Sequence, residues 1–244
     1  MAQAAGLLSG VLFALFVVTG LGLLYAMARR DHRMEAERRS RLLDRVASRL
    51  PQASTTIRPD GFPALVGRLA DGRAVTVELI PDTLVYRRLP ELWLIVTIEE
   101  ADSLGGPSIG GLSRPTGAEF YALVPTLPRL LQMPEGVETS LLLRCSNDFA
   151  GPAAERLGMA VIRLFDDRAV KEIVSTPRFT RIVRQAAEGD RGTHLLLRQI
   201  RFAIVEVPPD LVTRAEAEAD LLRRARALAI EPPSGMKRVI GNRQ

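Results

Sequence analysis

Apolar side chains dominate the chain from Leu7 to Leu24 and then stop abruptly. Met1 to Ala28 holds no charged residue, whereas Arg29 to Leu50 holds eight arginines. Leu7, Leu8, Val11, Leu12, Phe13, Leu15, Phe16, Val17, Val18, Leu21, Leu23 and Leu24 fill the first stretch. A helix of about 20 such residues spans the roughly 30 Å hydrocarbon layer of a bilayer. The pattern therefore predicts a transmembrane anchor over residues 1–28. Ala26-Met27-Ala28 also spells a signal-peptide cleavage pattern, but the start lacks the basic residues of a secretory signal and the apolar run is longer.

Beyond the anchor the period changes. Leu42, Leu43, Val46 and Leu50 recur at helical spacing with arginines on the other faces, so residues 29–50 read as an arginine-rich juxtamembrane helix that Pro51 stops. Residues 51–60 read as a linker into a soluble domain over 61–207. There the alternation of Ala64 to Leu69, the Asp71-Gly72 turn and Ala74 to Ile80 predict a hairpin. Leu92 to Glu99 is apolar on both faces and predicts a covered central strand.

Glu100 to Glu119 carries Gly105-Gly106, Gly110-Gly111 and Gly117 among prolines and serines, and reads as a mobile loop. Strands are expected over Thr139 to Cys145, Met159 to Phe165, Leu195 to Leu197 and Phe202 to Val207. Helices are expected over Pro152 to Leu157, ended by Gly158, over Arg168 to Ser175, and from Thr176-Pro177 to Ala187. A last helix, Arg214 to Ala229 within 208–230, follows a Thr213/Glu216 capping pair, and 231–244 reads as a flexible tail. The fold class is α+β, a mixed or antiparallel sheet with packed helices behind a single N-terminal membrane helix.

Charge sharpens the placement. The chain is +5 overall, but residues 29–50 alone contribute +4 and everything from Pro51 onward only +1. The soluble part lacks the basic bias of a nucleic-acid binder, so nucleic acid is not an expected partner. Basic residues concentrate after the span, and the positive-inside rule places the N-terminus outside and the domain in the cytoplasm, at the inner membrane if the source is bacterial. Arg29, Arg30, Arg33, Arg38, Arg39 and Arg41 are the residues expected to meet an anionic lipid surface.

Candidate chemistry is thin. Gly106-Pro107-Ser108-Ile109-Gly110 matches G-x-S-x-G, with Asp166 or Asp167 and then His194 in hydrolase order, but no helix is expected after Ser108. Cys145, His32 and His194 are too few and too scattered for zinc, and Glu99, Glu100 and Asp102 read as a solvated strand end. Cys145 reads as a packed thiol, and one cysteine permits no internal disulfide. No phosphate-cradling glycine loop with Lys and Ser or Thr is present. No catalytic residue, cofactor or metal is expected.

Two constellations remain. Arg178, Arg181 and Arg184 at three-residue spacing would line one flank of a helix and are candidate anion contacts. Gly6, Gly10, Ala14, Gly22 and Ala26 follow a four-residue repeat, the small-residue pattern by which membrane helices pair closely. Anchor and patterned core together point to a membrane-held, non-enzymatic interaction protein: a scaffold, assembly factor or accessory subunit. Its partners are membrane lipid and a protein, or a second copy, met through the anchor. A tethered enzyme with an unfamiliar site, or a binder of anionic lipid or nucleic acid, are the alternatives.

Overall fold

The structure, a computed structural model, describes residues 2–83, 89–100, 105–133, 140–192 and 201–230. Helix α1 (Ala2–Ser40) is 39 residues long and runs unbroken from the apolar segment through the arginine-rich one. No glycine or proline lies between Leu23 and Leu50, and ion pairs Glu35–Arg39 (3.1 Å) and Glu37–Arg41 (2.9 Å) support its last turns. A turn at Arg41 to Leu43 leads into the single-turn helix α2 (Asp44–Ala47), whose Val46 is buried with Leu42 and Leu43. The segment directly after α1 is thus already part of the domain core.

Among the described residues nine antiparallel strands follow: β1 (Ser54–Ile57), β2 (Pro63–Arg68), β3 (Ala74–Asp82), β4 (Glu91–Glu99), β5 (Ile109–Ser113), β6 (Arg129–Leu131), β7 (Leu141–Cys145), β8 (Val170–Ser175) and β9 (Phe179–Glu188). They form one sheet in the order β1-β2-β3-β4-β9-β8-β5-β7-β6. Helices α3 (Gly151–Arg163) and α4 (Pro209–Ile230) complete an α+β fold. The predicted hairpin is β2–β3, with Val66 opposite Thr76 and Gly67 opposite Val75. The predicted central strand is β4, buried continuously from Leu92 to Val96 between β3 and β9.

Alternation divides the side chains between two faces. Leu65, Val77, Leu79, Leu94, Val96, Ile173 and Ile182 join the main core with Leu157 and Val161 of α3, Ala215, Ala219 and Leu222 of α4, and Leu42, Leu43 and Val46. The opposite face carries two smaller clusters, Ile80, Trp93, Ile95 and Val183 with Tyr121, and Leu112 and Val174 with Val124.

Several expectations from the sequence are corrected. Met159 to Phe165 is not a strand: α3 continues through Gly158 to Arg163 and a 3-10 turn follows at Leu164–Asp166. Ala154, Leu157, Val161 and Phe165 keep helical spacing and are all buried, so burial of one stripe outweighs the single glycine. The two helices expected over Arg168 to Ala187 are the hairpin β8–β9. Thr176-Pro177 makes its turn instead of starting a helix, with the Thr176 hydroxyl accepting the N–H groups of Arg178 (3.2 Å) and Phe179 (3.0 Å).

The expected glycine loop contains strand β5, flanked by β7 and β8. A Cβ on Gly110 would lie 2.7 Å from Val124 Cγ2, and one on Gly111 would lie 2.6 Å from Phe165 Cε2. These glycines serve packing on both faces of a buried strand, not mobility. Phe202 to Val207 is not a strand, and makes a single bridge from Phe202 to Gly189. The expected linker carries β1, while Leu195 to Leu197 and the tail 231–244 lie outside the described residues.

Candidate functional site

The base of α1 is gripped by the domain. Arg38 donates to the carbonyls of Phe202 (2.8 Å) and Ile204 (2.9 Å), and the Val207 N–H donates to the Leu42 carbonyl (2.8 Å). The Arg39 guanidinium sits 5.2 Å from the centre of the Phe62 ring, and Phe62 packs edge-on against Phe202 at 6.1 Å. Glu35 approaches Arg201 at 3.8 Å, and Arg45 approaches Glu206 at 3.5 Å. Hydrogen bonds, an aromatic stack and buried leucines therefore join anchor and domain at one place. Between α1 and residues 205–206 lies an open groove of about 360 Å³, lined by Met34, Glu37, Arg38, Arg41, Val205 and Glu206.

The six arginines that follow the apolar stretch divide by environment. Arg38 and Arg39 are partly buried in the joint, and Arg41 is exposed against Glu37. Arg29, Arg30 and Arg33 are exposed and form no ion pair among the described residues. Above them α1 is bare: the membrane-length stretch, mean hydropathy 1.4, has none of its residues buried against the domain, and Gly20 and Gly22 have no atom within 4 Å of an added Cβ. Gly6, Gly10, Ala14, Gly22 and Ala26 all lie on this helix.

Arg178, Arg181 and Arg184 do not share a helix flank, because they belong to the β8–β9 hairpin. Arg178 is exposed in the turn, while Arg181 and Arg184, three apart on a strand, point to opposite faces. Arg181 pairs with the fully buried Glu172 and donates to the Tyr121 carbonyl (2.8 Å). Arg184, on the helix-covered face, pairs with Glu218 (2.6 Å) and Asp167 (3.2 Å).

These pairs belong to two buried polar systems that the sequence pattern did not reveal. On the open face, Glu172 accepts the N–H groups of Leu123 (2.6 Å) and Val124 (2.9 Å). Its neighbour Lys171 donates to the carbonyls of Ser113 and Arg114 (both 2.9 Å) and to Glu119 (2.8 Å). Together they pin the segment that covers Leu112 and Val174. Burial pushes the Glu119 carboxyl up, but Lys171 and the Thr116 donors outweigh it and bring its pKa to about 2. At Glu172 burial prevails over Arg181 and the two N–H donors, and the pKa is raised.

On the helix face, α4 is docked by Asp220 on Arg73 (2.6 Å), Glu218 on Arg184, and Arg226 on the Ser175 hydroxyl (2.9 Å) and the Pro107 carbonyl (2.6 Å). Burial lowers the pKa of Arg226 to about 10. The signal for the first system was legible in principle: adjacent opposite charges, Lys171-Glu172, inside the apolar run Val170 to Val174.

Ser108 precedes strand β5, not a helix, and its N–H is held by the Ser146 hydroxyl at 2.9 Å. Asp167 is engaged with Arg184 and Arg214, and His194 lies outside the described residues. Cys145 is fully buried, and burial pushes its thiol pKa up. Glu100 pairs with Arg223 at 3.3 Å, and Asp102 lies outside the described residues. Among the described residues no group of three or more His, Cys, Asp or Glu side chains is arranged to hold a metal ion.

No protein-family model matches the chain, and no curated protein matches it. Among solved structures it is similar to the crystal structure of the mycobacterial trehalose monomycolate transport factor A. The identity is 10%, over 78% of this chain and 84% of that one, with a TM-score of 0.35.

Proposed function

We propose that this chain is a single-pass membrane-anchored interaction protein whose α+β domain, on the cytoplasmic side, serves as a scaffold, assembly factor or accessory subunit. The observation that carries the reading is α1 itself: an apolar helix of membrane length, bare of domain contacts along its span, that ends at Ser40 and leads through a short turn into the domain core at Leu42 and Leu43. A helix with that much apolar surface needs lipid or protein around it. In the domain, the buried charges of the two polar systems are engaged by opposite charges, carbonyls and a hydroxyl within the fold, which they help hold together.

Surface features support interaction. Strand β1 is exposed along its whole length at one sheet edge, and Leu130 and Phe120 are exposed apolar side chains elsewhere. Gly6, Gly10, Ala14, Gly22 and Ala26 offer a face for a second anchor helix, from another copy or a partner subunit.

The test is extraction and topology in one preparation. The full-length protein should stay with membranes in alkaline carbonate. Because Cys145 is buried, a single added cysteine, Thr55→Cys, should react with an impermeant maleimide only in inside-out vesicles. Release by carbonate, or labelling in right-side-out vesicles, would refute the anchor or its orientation respectively.

A further inference from the structure

The joint between α1 and the domain fixes more than attachment. Arg38, Leu42, Leu43 and Phe62 hold the helix foot at several independent points, and α1 has no glycine or proline from Leu23 to its end. Anchor and domain are therefore one rigid body, and the domain presents a fixed shoulder toward the bilayer. From Ala28, the last residue before the first charged one, to Glu35, where Arg201 of the domain meets the helix, the rise is about 10 Å. The headgroup layer of one leaflet is roughly 5–7 Å thick. Only a few ångströms separate the shoulder from the outer headgroups, less than the reach of an arginine side chain.

The shoulder is net basic, with Asp31 and Glu37 interspersed among its arginines and Glu206 beside Val205. Among the described residues Arg29, Arg30 and Arg33 stand exposed without an ion pair. Val205 is 68% exposed and Met34 58%, on opposite banks of the groove. Free guanidiniums beside exposed apolar side chains complement phosphate and glycerol at the headgroup boundary.

We infer that this shoulder, formed by Arg29, Arg30, Arg33, Met34 and Val205, is a docking surface for anionic phospholipid headgroups. It rests on the reading of α1 as a membrane span. Because anchor and domain move together, attraction at the shoulder tilts α1 and draws Val205 toward the leaflet; membrane helices tilt by about 20° on average, so the motion is accessible. Arg38 and Arg39 hold the joint and do not contact lipid.

The test uses the full chain in nanodiscs with a fluorophore on Val205→Cys, silent Cys145 retained, and a quencher attached to lipid headgroups. Discs contain phosphatidylcholine alone or with phosphatidylglycerol. Quenching should be severalfold stronger with phosphatidylglycerol, and should fall to the phosphatidylcholine level in Arg29→Gln/Arg30→Gln/Arg33→Gln. It should also fall at about 1 M salt, where the screening length is about 3 Å. These substitutions lie on the exposed stalk, so the fold is not at risk. Equal quenching in both discs, with protein still embedded, overturns the docking surface alone. Protein that fails to remain in the disc overturns the membrane span and the docking surface together.

Discussion

Gly111→Ala and Gly158→Ala should move stability in opposite directions, although both glycines lie in the same packed region. In β5 the new Cβ at position 111 would meet Phe165 Cε2 at 2.6 Å and Cζ at 3.0 Å, with Leu143 Cδ2 at 3.3 Å. Phe165 is 5% exposed and cannot swing out, so the strand or the ring must shift. Overpacking of this kind costs about 1–3 kcal/mol. At Gly158 a Cβ would sit 3.6 Å from Ile109 Cδ1 and Phe149 Cζ, an ordinary contact, inside helix α3. Alanine there gains about 0.8–1 kcal/mol of helix propensity.

For a chain of this size each kcal/mol moves the melting point by about 2–4 °C. Gly111→Ala should therefore melt about 2–12 °C lower and Gly158→Ala about 2–4 °C higher. Circular dichroism of the detergent-solubilised full-length protein reads both. A neutral Gly111→Ala together with a destabilising Gly158→Ala would refute the argument, since it would return Gly111 to a loop and end α3 at residue 158.

Three other outcomes are expected. Glu172→Ala should cost about 3–5 kcal/mol by urea unfolding, because it leaves Arg181 buried without its carboxylate, and Glu172→Ala/Arg181→Met should cost less than the single change. Glu119 has its pKa lowered from 4.5 to about 2, so its pairing with Lys171 contributes fully above about pH 4.5 and is lost as pH falls toward 2; Glu119→Gln should flatten the stability profile in that window, and an unchanged acid limb would count against the pairing. Arg38→Ala should cost about 1.5–3 kcal/mol and speed amide exchange at Val207 while leaving β4 and β9 protected; uniform acceleration would mean the joint is not local.

The elements read correctly from sequence are those whose pattern matched their burial. The uninterrupted apolar run gave α1, alternation around Asp71-Gly72 gave β2–β3, and a doubly apolar run gave β4. Errors arose where polar letters are buried with internal partners. Lys171, Glu172, Arg181 and Arg184 look like the wet side of helices, yet all four lie on inner strands because each finds its opposite charge or carbonyls there. Gly110 and Gly111 failed as loop signals for the converse reason, since the lack of a side chain is what lets Val124 and Phe165 approach a covered strand. The division of the membrane-proximal arginines was also illegible, because the partners of Arg38 are carbonyls more than 160 positions away.

The seam between β4 and β9, where Glu99 lies opposite Phe179 and Glu91 opposite Glu188, bears on how the molecule is made. When β4 leaves the ribosome its second neighbour has not been translated, while the N-terminal helix is already available for insertion. Until β9 arrives to close it, the nascent β4 therefore has one edge of unpaired backbone N–H and C=O groups beside a mostly apolar run of side chains. Such distant pairing is slow and exposes aggregation-prone edges. The interval between translation of β4 and of β9 is then the stage at which this sheet is most open to mispairing.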